Sequence, residues 1–214
     1  MLVAAKTNPD GGAKGISLIL VETAAPGFRK GRKLQKLGLK AQDTSELFFE
    51  NVKVPVENLL GEEDKGFGYL MHNLAQERLC CAIGAVAMAR RVVDETVKFA
   101  RDRLVFGQPL SNFQNTQFKL AEMTAQVTQA QVFTDFCLDL FIREKLDAVT
   151  AAKLKMLTTD MCGKVCDEGL QLHGGAGYMW EYPVCRLFAD ARISRIFAGS
   201  NEVMKMIISR DLLK

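Results

Sequence analysis

From Gly66 onward the chain repeats apolar residues at three-, four- and seven-residue spacings, and only a few Gly and Pro residues interrupt the pattern. A period sustained that long restricts the fold to helices packed side by side. The first predicted helix runs from about Gly66 to Arg103, with Leu70, Leu74, Val86, Val93 and Val97 on its apolar stripe. Gly107 and Pro109 end it. Ser111 with Gln114 fits a capping box for a second helix, which reaches about Arg143 and carries Phe118, Met123, Val127, Phe133, Phe136 and Leu140. Asp147 is placed to cap a third helix that ends near Gly174. A shorter helix from Pro183 to Ile196 and a last one from Asn201 to Leu213 complete the set, with Pro183 in a first turn. Long helices on short connections imply an antiparallel bundle.

Before Gly66 the period changes. Ile16 to Val21 is rich in β-formers, and Ser45 to Val54 alternates through Leu47, Phe49 and Val52, with Gly and Pro between the two runs. The expected organisation is therefore mainly α: a partial β domain over 1–62 and a helical bundle over 63–214. The run from Arg29 to Lys40 holds six basic residues and no acid. Leu34, Leu37 and Leu39 interleave with them, which favours a solvated hairpin or loop over an anion site.

Charge and cysteine usage exclude several classes of function. The 28 Lys and Arg residues nearly balance 25 Asp and Glu, and the net charge of +3 is too small and too dispersed to call for nucleic acid. The apolar run from Leu79 to Ala89 is about half the length that crosses a bilayer and reads as a buried helix. The opening residues lack the charged start, apolar centre and cleavage site of a signal peptide. Cys80, Cys81, Cys137, Cys162, Cys166 and Cys185 lie in apolar or helical surroundings, as reduced thiols do, so a soluble intracellular protein is expected. Cys162 and Cys166 share a helix face but lack the further Cys and His ligands of a zinc site, so no metal is expected.

The segment Gln171 to Met204, QLHGGAGYMWEYPVCRLFADARISRIFAGSNEVM, breaks the helical pattern twice with Gly and polar residues. Its wording resembles the C-terminal signature of the acyl-CoA dehydrogenases, flavoenzymes that desaturate acyl-CoA thioesters. The resemblance extends back through nearly the whole chain, covering the end of that family's middle β domain and its helical bundle. Many members carry a base, a Glu, just before the Gly-Thr or Gly-Ser of the last motif, where this chain has Ala198 in FAGSNE. The long-chain and isovaleryl enzymes instead place the base on the first bundle helix, and Gln76, Glu77, Arg78 and Leu79 stand there.

The resemblance thus implies FAD-dependent α,β-dehydrogenation of long-chain acyl-CoA, with Glu77 as the catalytic base, and the long apolar run after Glu77 leads one to expect partial burial that raises its pKa toward neutrality. By the same matching, Arg78 lines the acyl-CoA cleft, and Ala198 offers its backbone N–H to the thioester carbonyl beside Gly199. Arg103, Phe106 and Gln114 are assigned to the FAD of a neighbouring subunit, together with the backbone of Gln171, Leu172, His173, Gly174 and Gly175. The His173 ring is read as structural, and Tyr178 and Trp180 as packing residues. Ser200, Asn201 and Glu202 match positions that meet the adenosine diphosphate portion of FAD. The implied partners are acyl-CoA, an electron-transfer flavoprotein and further copies of the chain in a tetramer, in a bacterial cytoplasm or a mitochondrial matrix. Two other functions fit these residues: a catalytically silent oligomerisation module, and an acyl-CoA oxidase on the same fold.

Overall fold

The computed structural model describes all 214 residues, which divide into two compact units. The first comprises Met1–Lys36 and Lys40–Leu74. Here β1 (Leu2–Lys6), β2 (Ile16–Leu20) and β5 (Leu59–Leu60) form an antiparallel sheet in the order β1-β2-β5, while β3 (Phe28–Lys33) and β4 (Ser45–Phe49) pair separately. Leu18 and Val21 bury their side chains. The buried Ser17 hydroxyl bonds Thr7 Oγ1 and accepts from the Asp64 N–H, both at 2.7 Å. The basic run forms a mostly exposed strand, with the Arg29 guanidinium 4.0 Å from the centre of the Phe48 ring. The strand expected to reach Val54 stops at Phe49 because Asn51 turns into the left-handed region, at φ 51°.

The second unit holds Leu37–Leu39 and Ala75–Lys214. Its helices are α1 (Gly66–Asp102, counted here from Ala75), α2 (Gln114–Ile142), α3 (Ala148–His173), α4 (Pro183–Ala191) and α5 (Asn201–Leu212). Asp147 caps α3 as expected, accepting from Val149 N at 2.8 Å and Thr150 N at 2.9 Å. Ser111 does not cap α2. Pro109 starts a tight 3₁₀ turn over Leu110–Asn112 that takes up Ser111, and Phe113 occupies the cap position without a side-chain bond. The helix expected to reach Ile196 ends as α4 at Ala191 and continues as a 3₁₀ turn over Arg192–Arg195, where Ser194 Oγ bonds Ala191 O at 2.7 Å.

Contacts fix the helix directions. Leu79 at the start of α1 clusters with Cys137 near the end of α2, and Lys119 near the start of α2 pairs with Glu168 near the end of α3. α1 and α2 are therefore antiparallel, as are α2 and α3, and α1 runs parallel to α3. The core draws Val86, Ala89 and Val92 from α1, Met123 and Val127 from α2, Cys162, Val165 and Cys166 from α3, and Val184 from α4. No helix is long and apolar enough to cross a membrane.

Several apolar residues of the predicted stripes lie outside this core. The buried face of α2 follows Thr116, Met123, Val127, Thr134 and Cys137. Phe118 and Phe136 fall off that face and are exposed, as are Leu70 on α1 and both Tyr178 and Trp180. The period predicted the helix correctly, but the chain itself covers only one side of it.

Helices α1 and α3 approach closely at Gly169 of α3, where an added Cβ would lie 2.4 Å from Val92 Cγ1 and 3.0 Å from Thr96 Oγ1. Gly in a helix interior costs about 1 kcal/mol relative to Ala, and overpacking a core costs about 1–3 kcal/mol. Since Val92 and Thr96 are fully buried, the clash outweighs the helix gain. Gly169→Ala should lower the urea midpoint, and adding Val92→Ala should recover part of the loss.

Candidate functional site

The segment before α5 is bent by two consecutive positive backbone angles, φ 53° at Ala198 and 87° at Gly199. Gly suits the second position for another reason as well: a Cβ there would meet Met204 Cε at 2.8 Å. Ser200 then caps α5, its Oγ accepting from Val203 N at 3.4 Å. Glu202 follows in the first helical turn, and hydrogen bonds from its own backbone and from Ser200 hold its carboxyl below the ordinary carboxylate range. Asn201 is buried and points back into α3, where its Nδ2 donates to Asp160 Oδ1 at 2.9 Å and to Thr159 Oγ1 at 3.0 Å. Asn201 therefore faces the protein interior through this side chain.

Against this turn lies Lys155 of α3, which the sequence reading did not single out. Its side chain is 0% exposed, and its ammonium donates to Gly199 O at 2.8 Å and Asn201 Oδ1 at 2.9 Å. Burial draws its pKa down. A signal was present in the sequence: Lys155 shares the buried register of Ala151, Ala152, Thr158, Thr159 and Cys162, where a charge needs a special reason.

The α1 candidates approach the same place. Cys81, one helical turn after Glu77 and so on the same face, has its thiol 3.9 Å from Ser194 O, four residues before Ala198. Glu77 itself is exposed. The partial burial expected from the neighbouring apolar run is absent, because Arg78 and Leu79 turn inward while Glu77 points out. Arg78 is only 5% exposed, its Nε lacks a partner, and its Nη1 reaches Ala148 O at 3.5 Å. Burial lowers its pKa, and the charge of Glu77 acts in the opposite direction.

A second cluster forms at the other end of α1. Leu104–Val105 pairs with Gln108–Pro109 in a tight hairpin, with Phe106 at φ 49° and Gly107 at φ 82° in its turn. Phe106 is 93% exposed, and Arg103 and Gln114 are also exposed. His173, at the end of α3, stacks on Phe99 at 4.2 Å between ring centres and bonds Gly169 O through Nδ1 at 2.7 Å. Phe99 is one turn before Arg103, so this stack brings the Gln171–Gly175 segment to the same end of the bundle. Gly174 and Gly175 are exposed, and a Cβ at either would touch nothing. Leu172 packs against the core.

The 26 residues from Glu77 to Arg103 span roughly 39 Å along the helix. The two clusters of one chain therefore lie at opposite ends of α1. A cleft of about 550 Å³ between α2 and α3 and another of about 410 Å³ between α1 and α2 contain none of these residues.

The sequence matches the family model for acyl-CoA dehydrogenase, C-terminal domain, over residues 64–213. It is 45% identical to a long-chain specific acyl-CoA dehydrogenase, mitochondrial, of Sus scrofa, over 100% of this chain and 50% of that protein. The chain therefore spans about half the length of such a relative. Among solved structures, an acyl-CoA dehydrogenase from Geobacillus kaustophilus superposes with a TM-score of 0.96 at 46% identity, over 99% of this chain and 56% of the other. Butyryl-CoA dehydrogenase from Megasphaera elsdenii gives 0.94 at 38% identity, over 100% and 56%.

Burial lowers the pKa of His173, with the Gly169 carbonyl and Glu95 acting in the opposite direction. The unfolded chain then binds a proton at His173 before the folded chain does. Stability from this residue is complete above the unfolded value, about 6.5, and is lost as pH falls from there through the lower folded value. The thermal midpoint should decline over that window, and His173→Gln should remove this part of the decline while lowering the midpoint at all pH.

Proposed function

The chain belongs to the acyl-CoA dehydrogenase family, flavoprotein oxidoreductases of fatty acid metabolism, and from that premise we propose that it carries the base and carbonyl grip of an enzyme converting long-chain acyl-CoA to trans-2-enoyl-CoA. The reading rests on one observation. The last motif has no carboxylate at Ala198, while Glu77 stands one turn from Cys81, whose thiol meets the segment leading to Ala198.

In this mechanism the Glu77 carboxylate takes the proton α to the thioester. An exposed carboxylate is accessible to substrate, and closure by bound acyl-CoA would exclude water around it. The Ala198 N–H receives the thioester oxygen as negative charge develops on it, and Gly199 lets the thioester approach the backbone. Arg78, buried without a full set of acceptors, places a cation beside the cleft.

Family members use FAD, which supplies the acceptor for the β hydride when bound. The residues at the far end of α1 fit such a group. Arg103 has no ion pair within the chain and offers a planar donor fork suited to phosphate, and the exposed backbone at Gly174 and Gly175 accommodates an anion. Because this cluster lies so far from Glu77, we assign Arg103, Phe106, Gln114 and Gln171–Gly175 to the FAD of a neighbouring copy, and Ser200, Glu202 and the backbone of Asn201, whose side chain is turned into α3, to the chain's own. Assembly into a tetramer and reoxidation by an electron-transfer flavoprotein complete the proposal.

The exposed Phe118, Val132, Phe136 and Ile142 of α2 support a second reading, in which the chain is an assembly module without catalysis. Absorbance separates the two. With added FAD, the chain should bind flavin that bleaches anaerobically with long-chain acyl-CoA, and Glu77→Gln should slow bleaching by about 10²–10⁴-fold. A colourless oligomer would establish the assembly module instead.

A further inference from the structure

We propose that Lys155 is a positioning residue for the thioester: its buried ammonium holds the Gly199 carbonyl and the Asn201 amide oxygen, and thereby fixes the turn whose Ala198 N–H receives the substrate carbonyl. The inference rests on the reading of that turn given above.

The argument begins with cost. An ammonium removed from water loses several kcal/mol of solvation, and buried ions are often replaced by apolar residues without loss of stability. Lys155 is fully buried on a stripe of Ala, Leu, Thr and Cys, where Met or Leu would continue the core. It has no carboxylate in direct contact. Its two partners are neutral oxygens, and Asp160 is linked to it through Asn201, whose Nδ2 donates to Asp160 Oδ1 at 2.9 Å. A lysine placed to stabilise the bundle would pair with that acid directly.

What the ammonium does hold is specific. Gly199 and Asn201 are the first and third residues after Ala198, whose φ of 53° is unfavourable for a residue with a Cβ. Such a conformation persists only where its surroundings determine it. Two bonds from one buried charge anchor the far side of the turn to α3. Ser200 caps α5, Asn201 ties to Thr159 and Asp160, and Met204 fills the space beside Gly199. The Ala198 N–H is thus left free of the duties that hold the loop. A donor aimed at developing charge must be set before the reaction begins, and small displacements weaken it strongly.

The test uses the FAD-loaded chain with acyl-CoA labelled with ¹³C at the thioester carbonyl. In the wild type, the carbonyl stretch of the bound thioester should shift to lower frequency. Lys155→Met should bind acyl-CoA with KM within about threefold of wild type but lose the frequency shift, and kcat should fall roughly 10²-fold. If Lys155→Met does not fold, Asn201→Ala, which removes one of the two acceptors, should show part of the same loss. A variant that melts earlier yet keeps both the shift and kcat would overturn the inference and make Lys155 structural only. A wild-type chain that binds acyl-CoA without any shift would instead overturn the reading of the turn itself, and this inference with it.

Discussion

The bundle is organised by the unbroken length of α1. Its 37 residues span about 55 Å, and buried positions recur along it from Arg78 and Leu79 through Ala82, Val86, Ala89, Val93 and Thr96 to Ala100. Over that stretch the helix is committed to packing. The polar groups available for ligands come where the buried stripe stops, at Glu77 on one side and Arg103 on the other. One element thus sets the separation of the two clusters, and neither can move without shifting the core register between them. The sharing of a flavin between copies follows from this length on the proposed reading, since the cation at one end cannot serve the base at the other.

The parallel helix α3 braces both ends. Near its start Lys155 holds the turn before α5, and at its last residue His173 stacks on Phe99. Between them Gly169 lets α3 approach Val92 and Thr96, closer than any side chain would allow. Small residues are buried on both helices, including Ala82, Ala85 and Ala89 on α1 and Ala151 and Ala152 on α3. A seam of small residues gives little apolar area per residue but close, well-determined contact. That suits helices whose ends carry groups that must be held in place.

The helices were legible in the sequence because period and caps are local properties. Asp147 bonds the first turn of α3 as its position predicts. Ser111 fails although its spacing is right, because Pro109 diverts the backbone into a 3₁₀ turn first. Burial was less legible. Phe118 and Phe136 fit a helical pattern but not the face defined by Met123, Val127 and Cys137, and only the packing of α1 and α3 decides which face that is. The candidate residues came from wording, whereas Lys155 was missed because a lone Lys in a helix ordinarily reads as solvated. Its register among buried positions was the available clue, and its acceptors, 44 and 46 residues away in sequence, become apparent only once the chain folds.

On the proposed reading the base stands on α1 and not in the last motif, which changes what the turn must do. A carboxylate at 198 would do its work through a side chain, and its backbone would serve mainly to carry it. With Ala at 198, proton removal falls on the proposed reading to Glu77, and the turn contributes only through its backbone. The requirement then passes from side-chain reach to the direction of one N–H. That direction is set by two consecutive positive φ angles, and nothing in Ala198 itself favours the first of them. The bonds that hold the conformation come from Lys155, Thr159 and Asp160 of α3 and from the Ser200 cap of α5, and none of them involves the Ala198 side chain. On the proposed reading, a base on a long, well-packed helix separates proton transfer from the carbonyl grip, so each can be held by its own part of the bundle.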